Sequence, residues 1–201
     1  MDPETWQYRL RLASLGAWAV WQLIFWLLGP RSLKLGDTGV RRQSPRLTWL
    51  ALLVSLLSAL ILLATAVSIL AGWLAPLSAL DTLAVTALGF AALAAGVWGY
   101  LSAARVLGRL WTPYTALLPG HQLVETGLFR LVRHPIYTSL LLLFTGTALA
   151  FPTLWSLAAA GLMDLVYVLK ALEEDRFLKR YLPGYAEYAG RVPRRLIPGV
   201  W

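Results

Sequence analysis

Five long apolar runs, broken by polar stretches or by glycine and proline, organise this chain. The first covers about Ser14 to Leu28, holds Trp18, Trp21 and Trp26, and stops at Gly29-Pro30. The second, about Leu47 to Trp73, is nearly continuous Leu, Ala, Ile and Val. Gly72 and Pro76 mark a tight turn into the third, about Leu80 to Leu107. The fourth, Pro135 to Ala150, is shorter, and Phe151-Pro152 parts it from the fifth, about Thr153 to Leu169. A helix that crosses a bilayer core needs roughly 20 apolar residues. The pattern therefore predicts an all-α membrane protein with five transmembrane helices. The last two, short and joined by one tight break, read as a C-terminal helical hairpin.

Within the third run, Gly89, Ala92, Ala95, Gly96 and Gly99 fall at roughly helical spacing, a small-residue pattern that allows close helix contact. Beyond Leu169 the helix of run five is expected to leave the membrane and continue as a cytosolic amphipathic one. Lys170, Glu173, Glu174, Asp175, Arg176, Lys179 and Arg180 supply its charges, and Phe177, Leu178, Tyr181 and Leu182 its apolar side. Pro183-Gly184 ends it, and the proline-rich residues 191–198 form an extended tail. No Ala-x-Ala site follows the Trp-rich first run, so it reads as a retained helix. With no internal repeat or low-complexity linker, residues 1–201 read as one domain.

Composition agrees with a membrane protein. Of the 201 residues, 58% are hydrophobic and only 14% charged, where soluble domains are about a quarter charged. The chain has no cysteine, which excludes disulfides and thiolate chemistry. Its two histidines, His121 and His134, lack HxxxH or HExxH spacing, so no metal site is expected. The net charge of +8 reads as positive-inside bias, with no nucleic acid as partner. Arg31, Lys34, Arg41, Arg42 and Arg46 follow run one, and Arg105, Arg109, Arg130 and Arg133 follow run three. The tail carries seven more basic residues, and only Arg9 and Arg11 of the 18 lie elsewhere. An N-terminus outside and a C-terminus in the cytoplasm keep all three basic stretches on one side; an even helix count strands one of them outside.

Residues 127–137, GLFRLVRHPIY, seat Arg133 and His134 at the mouth of the fourth run, where desolvation makes polar groups costly. Glu173-Glu174 stands at the far end of the fifth run, so the two clusters can meet at one surface. Each feature alone has a plain structural reading. Arg133 is then an interfacial anchor, His134 a helix-boundary residue, and the glutamates a solvated face paired with Lys170 and Arg176. Asp164 lies inside the fifth run, as a functional acid or as a hydrogen bond between helices.

Read together, the motifs resemble the isoprenylcysteine carboxyl methyltransferase family, whose relatives include phospholipid methyltransferases. The pieces are His121-Gln122-Leu123-Val124, Gly127, Phe129, Arg133-His134-Pro135-x-Tyr137, Glu173-Glu174 and a terminal Tyr-x-x-Tyr…Arg-Val-Pro-Arg-x-x-Ile-Pro, from about Tyr114 to Pro198. The resemblance implies S-adenosylmethionine in a cytosol-facing pocket between the last two helices and the tail. It implies a cofactor-binding set of His121, Gln122, Leu123, Val124, Phe129, His134, Pro135, Ile136, Tyr137 and Glu173, and a catalytic set of Arg133, His134, Glu173 and Glu174. Residues 111–201 become the cofactor-binding catalytic region, and residues 1–110 a three-helix scaffold. Relatives acting on isoprenylcysteine have an arginine four residues before the first acid, thought to meet the substrate carboxylate; with Glu173 as that acid, this chain has Leu169 there and Lys170 beside it.

The expectation is a multi-pass methyltransferase acting on a lipophilic acceptor at the cytosolic face, with membrane lipids as partners and a monomer or weak homo-oligomer as its state. Phospholipid N-methylation and small-thiol S-methylation are the nearest alternatives. A nicotinamide-dependent membrane reductase and a non-catalytic membrane protein stand further off, since no phosphate-binding glycine loop is present.

Overall fold

The computed structural model describes residues 7–9, 11, 12, 16, 42–44, 46–74, 76–112 and 115–201. Nearly all of the first apolar run, with Arg31, Lys34, Arg41 and Tyr114, lies outside these residues. Strand β1 (Arg42–Ser44) leads into helix α1 (Arg46–Leu70), and α2 (Leu83–Leu107) passes through a 3-10 turn (Gly108–Leu110) into strand β2 (Thr115–Leu117). A second 3-10 turn (Gly127–Arg130) precedes α3 (Pro135–Ala150), α4 (Leu154–Tyr181) and α5 (Tyr185–Arg191).

Among the described residues, two helical spans are long and apolar enough to cross a membrane: Leu83–Leu110 and Leu154–Tyr181, with mean hydropathies of 1.6 and 1.4. Helix α3 is apolar but only 16 residues long, about 24 Å of helix against a bilayer core of about 30 Å. Local chemistry sets the helix starts. Thr82 caps α2 by accepting from the Val85 N–H at 3.2 Å. Thr153 and Ser156 form a reciprocal capping box that starts α4 directly after the Phe151-Pro152 break.

Helices α2 and α3 meet through glycine. A Cβ on Gly89 would lie 2.6 Å from the Ala150 nitrogen, and one on Gly146 would lie 2.7 Å from the Gly89 oxygen. On Gly96 it would lie 2.8 Å from the Ser139 oxygen, and on Gly99 2.6 Å from Ser139 Oγ. The seam expected along run three therefore exists, built by its glycines and answered by Gly146, while Ala95 faces outward. Gly89→Ala and Gly146→Ala should each lower stability by about 1–3 kcal/mol, the cost of overpacking against atoms that cannot yield. Gly161, also helical, has nothing within 4 Å of its virtual Cβ. Gly161→Ala is thus the matched control, expected to keep or raise the melting temperature in detergent.

Two features depart from the sequence expectation. First, the fold is not purely helical: β1 and β2 pair antiparallel, with Arg42 opposite Leu117 and Ser44 opposite Thr115. Three-residue strands are too short for hydrophobic alternation to register. The polar continuation of run five is there as expected, since α4 runs unbroken to Tyr181. Its polar part is rich in Leu, Glu, Lys and Arg, all strong helix formers. Twenty-eight residues make about 42 Å of helix, longer than a bilayer core. Second, Tyr185–Arg191 forms a helix after Gly184 turns the chain at φ +80°. At the opposite end of the bundle, buried Arg11 pairs with Asp81, and its Nε lies 3.4 Å from the Ala150 carbonyl.

Candidate functional site

The end of α2, strand β2, the loop after it, the start of α3, the last turns of α4 and helix α5 wall one cleft of about 820 Å³, its open mouth included. Of the residues read from the sequence, His121, Gln122, Leu123, Val124, Phe129, Arg133, His134, Pro135, Ile136, Tyr137 and Glu174 line it. Glu173 does not. Leu178 and Leu182 of the apolar side and Tyr185 and Tyr188 of the terminal Tyr-x-x-Tyr also line the cleft, while Leu107, Trp111 and Thr115 are among the lining residues that the sequence did not single out.

Pro135 is the first residue of α3, where its fixed φ suits the helix and its missing N–H costs nothing. The first turn, with its unpaired N–H groups and positive dipole end, thereby opens at the cleft. His134 precedes it without a side-chain cap, and its ring stacks on Tyr137 at 5.6 Å and 12°. The Tyr137 hydroxyl donates to Glu174 Oε2. Lys170 Nζ stands 5.4 Å from the centroid of the same tyrosine ring. On α4, then, Tyr167, Lys170 and Ala171 are buried in the bundle, and Glu174 and Leu178 line the cleft. Leu169 is 45% exposed and Lys170 5%, so the inward cation is the lysine, one residue on from the position taken above for the relatives' arginine.

The residue that sequence reading missed is Asp175. It is buried and gathers Arg133 (Nη2 to Oδ2, 2.5 Å), Arg195 (Nε to Oδ2, 3.0 Å), His134 (Nε2 to Oδ1, 3.1 Å) and the Tyr185 hydroxyl (2.7 Å). Arg133 also donates to the Val192 carbonyl at 2.7 Å. Nε, Nη1 and Nη2 of its guanidinium are therefore all engaged by protein groups. Burial opposes the charge on Arg133, but the hydrogen bond and charge of Asp175 more than offset this and raise its pKa. The Tyr185 phenol is pushed well up, by burial first and then by Asp175, which keeps it a donor.

The tail is strapped across the mouth of α3. The N–H groups of Arg133 and His134 donate to the carbonyls of Arg194 and Arg195 at 3.0 Å, and Thr138 Oγ1 donates to the Leu196 carbonyl at 2.7 Å. The Tyr188 hydroxyl donates to the Phe129 carbonyl at 2.7 Å. The tail runs extended as expected through residues 192–194, then closes into a turn where Leu196 and Ile197 N–H groups donate to the Trp201 carbonyl.

His121 sits in the cleft wall with Nδ1 buried and no hydrogen-bond partner. Burial lowers its pKa, against a smaller opposing effect of Glu174, and so favours the neutral ring. Asp164 belongs elsewhere: Thr145 Oγ1 donates to its Oδ2 at 2.9 Å, tying α3 to α4 outside the cleft.

Residues 84–183, about half of the chain, match the family model described as phospholipid methyltransferase. Through this stretch the chain belongs to the phospholipid methyltransferase family. Membership implies a membrane methyltransferase, in keeping with the two long apolar helices. The match begins in α2 and stops before α5, so it takes in the glycine seam that the motif resemblance left out, and omits the tail that the resemblance included. The cobalt-zinc-cadmium resistance protein CzcN of Cupriavidus metallidurans is 38% identical over 89 residues, which are 43% of this chain and 41% of that protein. The matched part is thus about two-fifths of that relative's length.

Proposed function

We propose that this phospholipid methyltransferase family member transfers methyl groups from S-adenosylmethionine to a lipophilic, carboxylate-bearing acceptor at the cytosolic membrane face. The carrying observation is the single cleft that gathers residues 121–124, Phe129, residues 134–137 and Glu174 beside the ends of apolar helices. S-adenosylmethionine bound there would supply a methyl group on a sulfonium, open to in-line displacement by a nucleophile.

The residues present fit such a molecule. Glu174 supplies a carboxylate and His121 a buried nitrogen without a partner, both suited to the N–H and O–H groups of a cationic nucleoside. The N–H groups at the start of α3 suit its carboxylate. The faces of Phe129 and Tyr137 suit a purine ring or a cationic sulfur. Leu123, Leu178 and Leu182 keep water from the reacting atoms. Catalysis here is mostly positioning, since an anionic nucleophile needs no base.

Lys170 supports a carboxylate-bearing acceptor. It stands four residues before Glu174 and turns inward over the Tyr137 ring, just outside the cleft lining, where a cation can meet an anion that reaches past that ring. The apolar lining of the cleft, Leu107, Leu110, Ile136 and Leu178 among it, favours a substrate that enters sideways from the bilayer.

Thermal shift of the detergent-purified protein tests donor binding. S-adenosylmethionine and S-adenosylhomocysteine at a hundredfold excess over Kd should each stabilise by about 2.7 kcal/mol, and NADPH should not. Labelled-methyl transfer then compares a prenylcysteine analogue, a phospholipid and a small thiol. Each added acceptor CH₂ should raise kcat/KM about fourfold, from roughly 0.8 kcal/mol of burial. No donor binding, or transfer indifferent to chain length, defeats the proposal.

A further inference from the structure

Asp175 receives five donor atoms on one carboxylate. Arg133 Nε (2.9 Å), the Tyr185 hydroxyl (2.7 Å) and His134 Nε2 (3.1 Å) meet Oδ1. Arg133 Nη2 (2.5 Å) and Arg195 Nε (3.0 Å) meet Oδ2. A carboxylate held between two guanidiniums is ionised, and an ionised carboxylate only accepts. The contact with His134 is therefore a hydrogen bond only if Nε2 carries the proton. When the ring is neutral, that leaves Nδ1 as a bare acceptor. The ring is held against flipping: its side chain is 4% exposed, it stacks on Tyr137, and its backbone N–H is fixed to the Arg195 carbonyl. His134 also lines the cleft.

We propose that Asp175 is a positioning residue of the cleft: it fixes His134 as the Nε2–H tautomer, so that the imidazole meets the ligand through Nδ1 as an acceptor. The group it takes is an ammonium or a hydroxyl of the methyl donor, not its carboxylate. The ligand half of this inference rests on the methyl-donor reading of the cleft; the tautomer half does not. Its consequence is a division of labour, with acceptors at Glu174, His121 and His134 for the donor's N–H and O–H groups. The carboxylate is left to the N–H groups at the start of α3.

The chain has two histidines, so ¹⁵N-labelled protein in detergent gives a spectrum that His121→Gln assigns at once. In mildly alkaline buffer, His134 should show a protonated Nε2 and an unprotonated Nδ1, and S-adenosylhomocysteine should move the Nδ1 resonance as it becomes hydrogen-bonded. Asp175→Asn should give mixed tautomers and weaken S-adenosylhomocysteine about tenfold or more, the scale of one charge-assisted hydrogen bond. Arg195→Gln loosens the tail yet should leave the His134 spectrum as in wild type. An Nδ1–H tautomer in wild type overturns the proposal. So does an Nδ1 resonance that bound ligand leaves unmoved, a result that stands even if Asp175→Asn does not fold. A lower melting temperature in Asp175→Asn with unchanged affinity and an unchanged His134 spectrum makes Asp175 an anchor only, and also overturns it. Wild type that binds neither S-adenosylmethionine nor S-adenosylhomocysteine sinks the donor reading and the ligand half with it, while the tautomer is judged by its own spectrum.

Discussion

Glu174→Gln should weaken S-adenosylmethionine binding about ten- to a hundredfold, while Glu173→Gln leaves it within about twofold. A hydrogen bond to a charged group contributes about 1.5–3 kcal/mol, and Glu174 is the acid that lines the cleft and accepts from Tyr137. Glu173 is half-buried with its Oε2 shut off from solvent, but it is not among the residues that line the cleft. His134→Ala should match Glu174→Gln in direction, because it removes the ring stacked on Tyr137 and leaves Asp175 with one donor fewer. Tyr137→Phe keeps the stack and removes only the donor to Glu174, so its loss should be smaller. Titration calorimetry on the four variants checks the order. Equal losses for both glutamates would mean that Glu174 acts by charge at a distance, and a loss for Glu173 alone would remove the assignment.

Of the residues read from the sequence as a cofactor site, all but Glu173 line the cleft. The cleft's first strip was legible because its residues are local: 121–124, 129 and 133–137 lie within one short stretch that ends in a proline-started helix. The far wall was harder. Two adjacent glutamates look alike in a sequence, and the helix decides between them, since neighbours point about 100° apart. The period was available: Val166, Tyr167, Lys170, Ala171, Asp175 and Leu178 continue the inward face of run five into its charged end. Extending that face selects Glu174 and Asp175 over Glu173, and Lys170 over Leu169. The glycine seam was legible for the same reason, its periodicity lying in an apolar run without competing signals. Asp175 was hidden because its partners come from 42 residues before it and from a tail 10 to 20 residues after it. No local pattern reports so distant a meeting. Likewise β1 and β2 are 71 to 75 residues apart at their paired positions, beyond the reach of any short window.

The same register decides the acceptor. Lys170→Met should cut kcat/KM for a prenylcysteine carboxylate by roughly 30- to 900-fold, the effect of removing about 2–4 kcal/mol of a buried charge pairing. Lys170→Arg should retain most of the activity, since the guanidinium keeps the charge and adds a bidentate match to a carboxylate. Leu169→Arg should give no gain, for its side chain leaves the bundle on the outward face shared with Leu162 and Leu165. S-adenosylhomocysteine affinity, measured alongside, separates loss of the acceptor's cation from damage to the cleft, because Lys170 stands behind Tyr137 and is not part of the lining. A phospholipid amine acceptor provides the opposing case: a cation at Lys170 repels a protonated amine, so Lys170→Met should leave its rate unchanged or raise it. A gain from Leu169→Arg with Lys170→Met silent would place the acceptor's anion outside the bundle and undo the register argued here. An equal loss on both acceptors would make Lys170 a support for Tyr137 and Glu174, leaving the choice of acceptor to another part of the cleft.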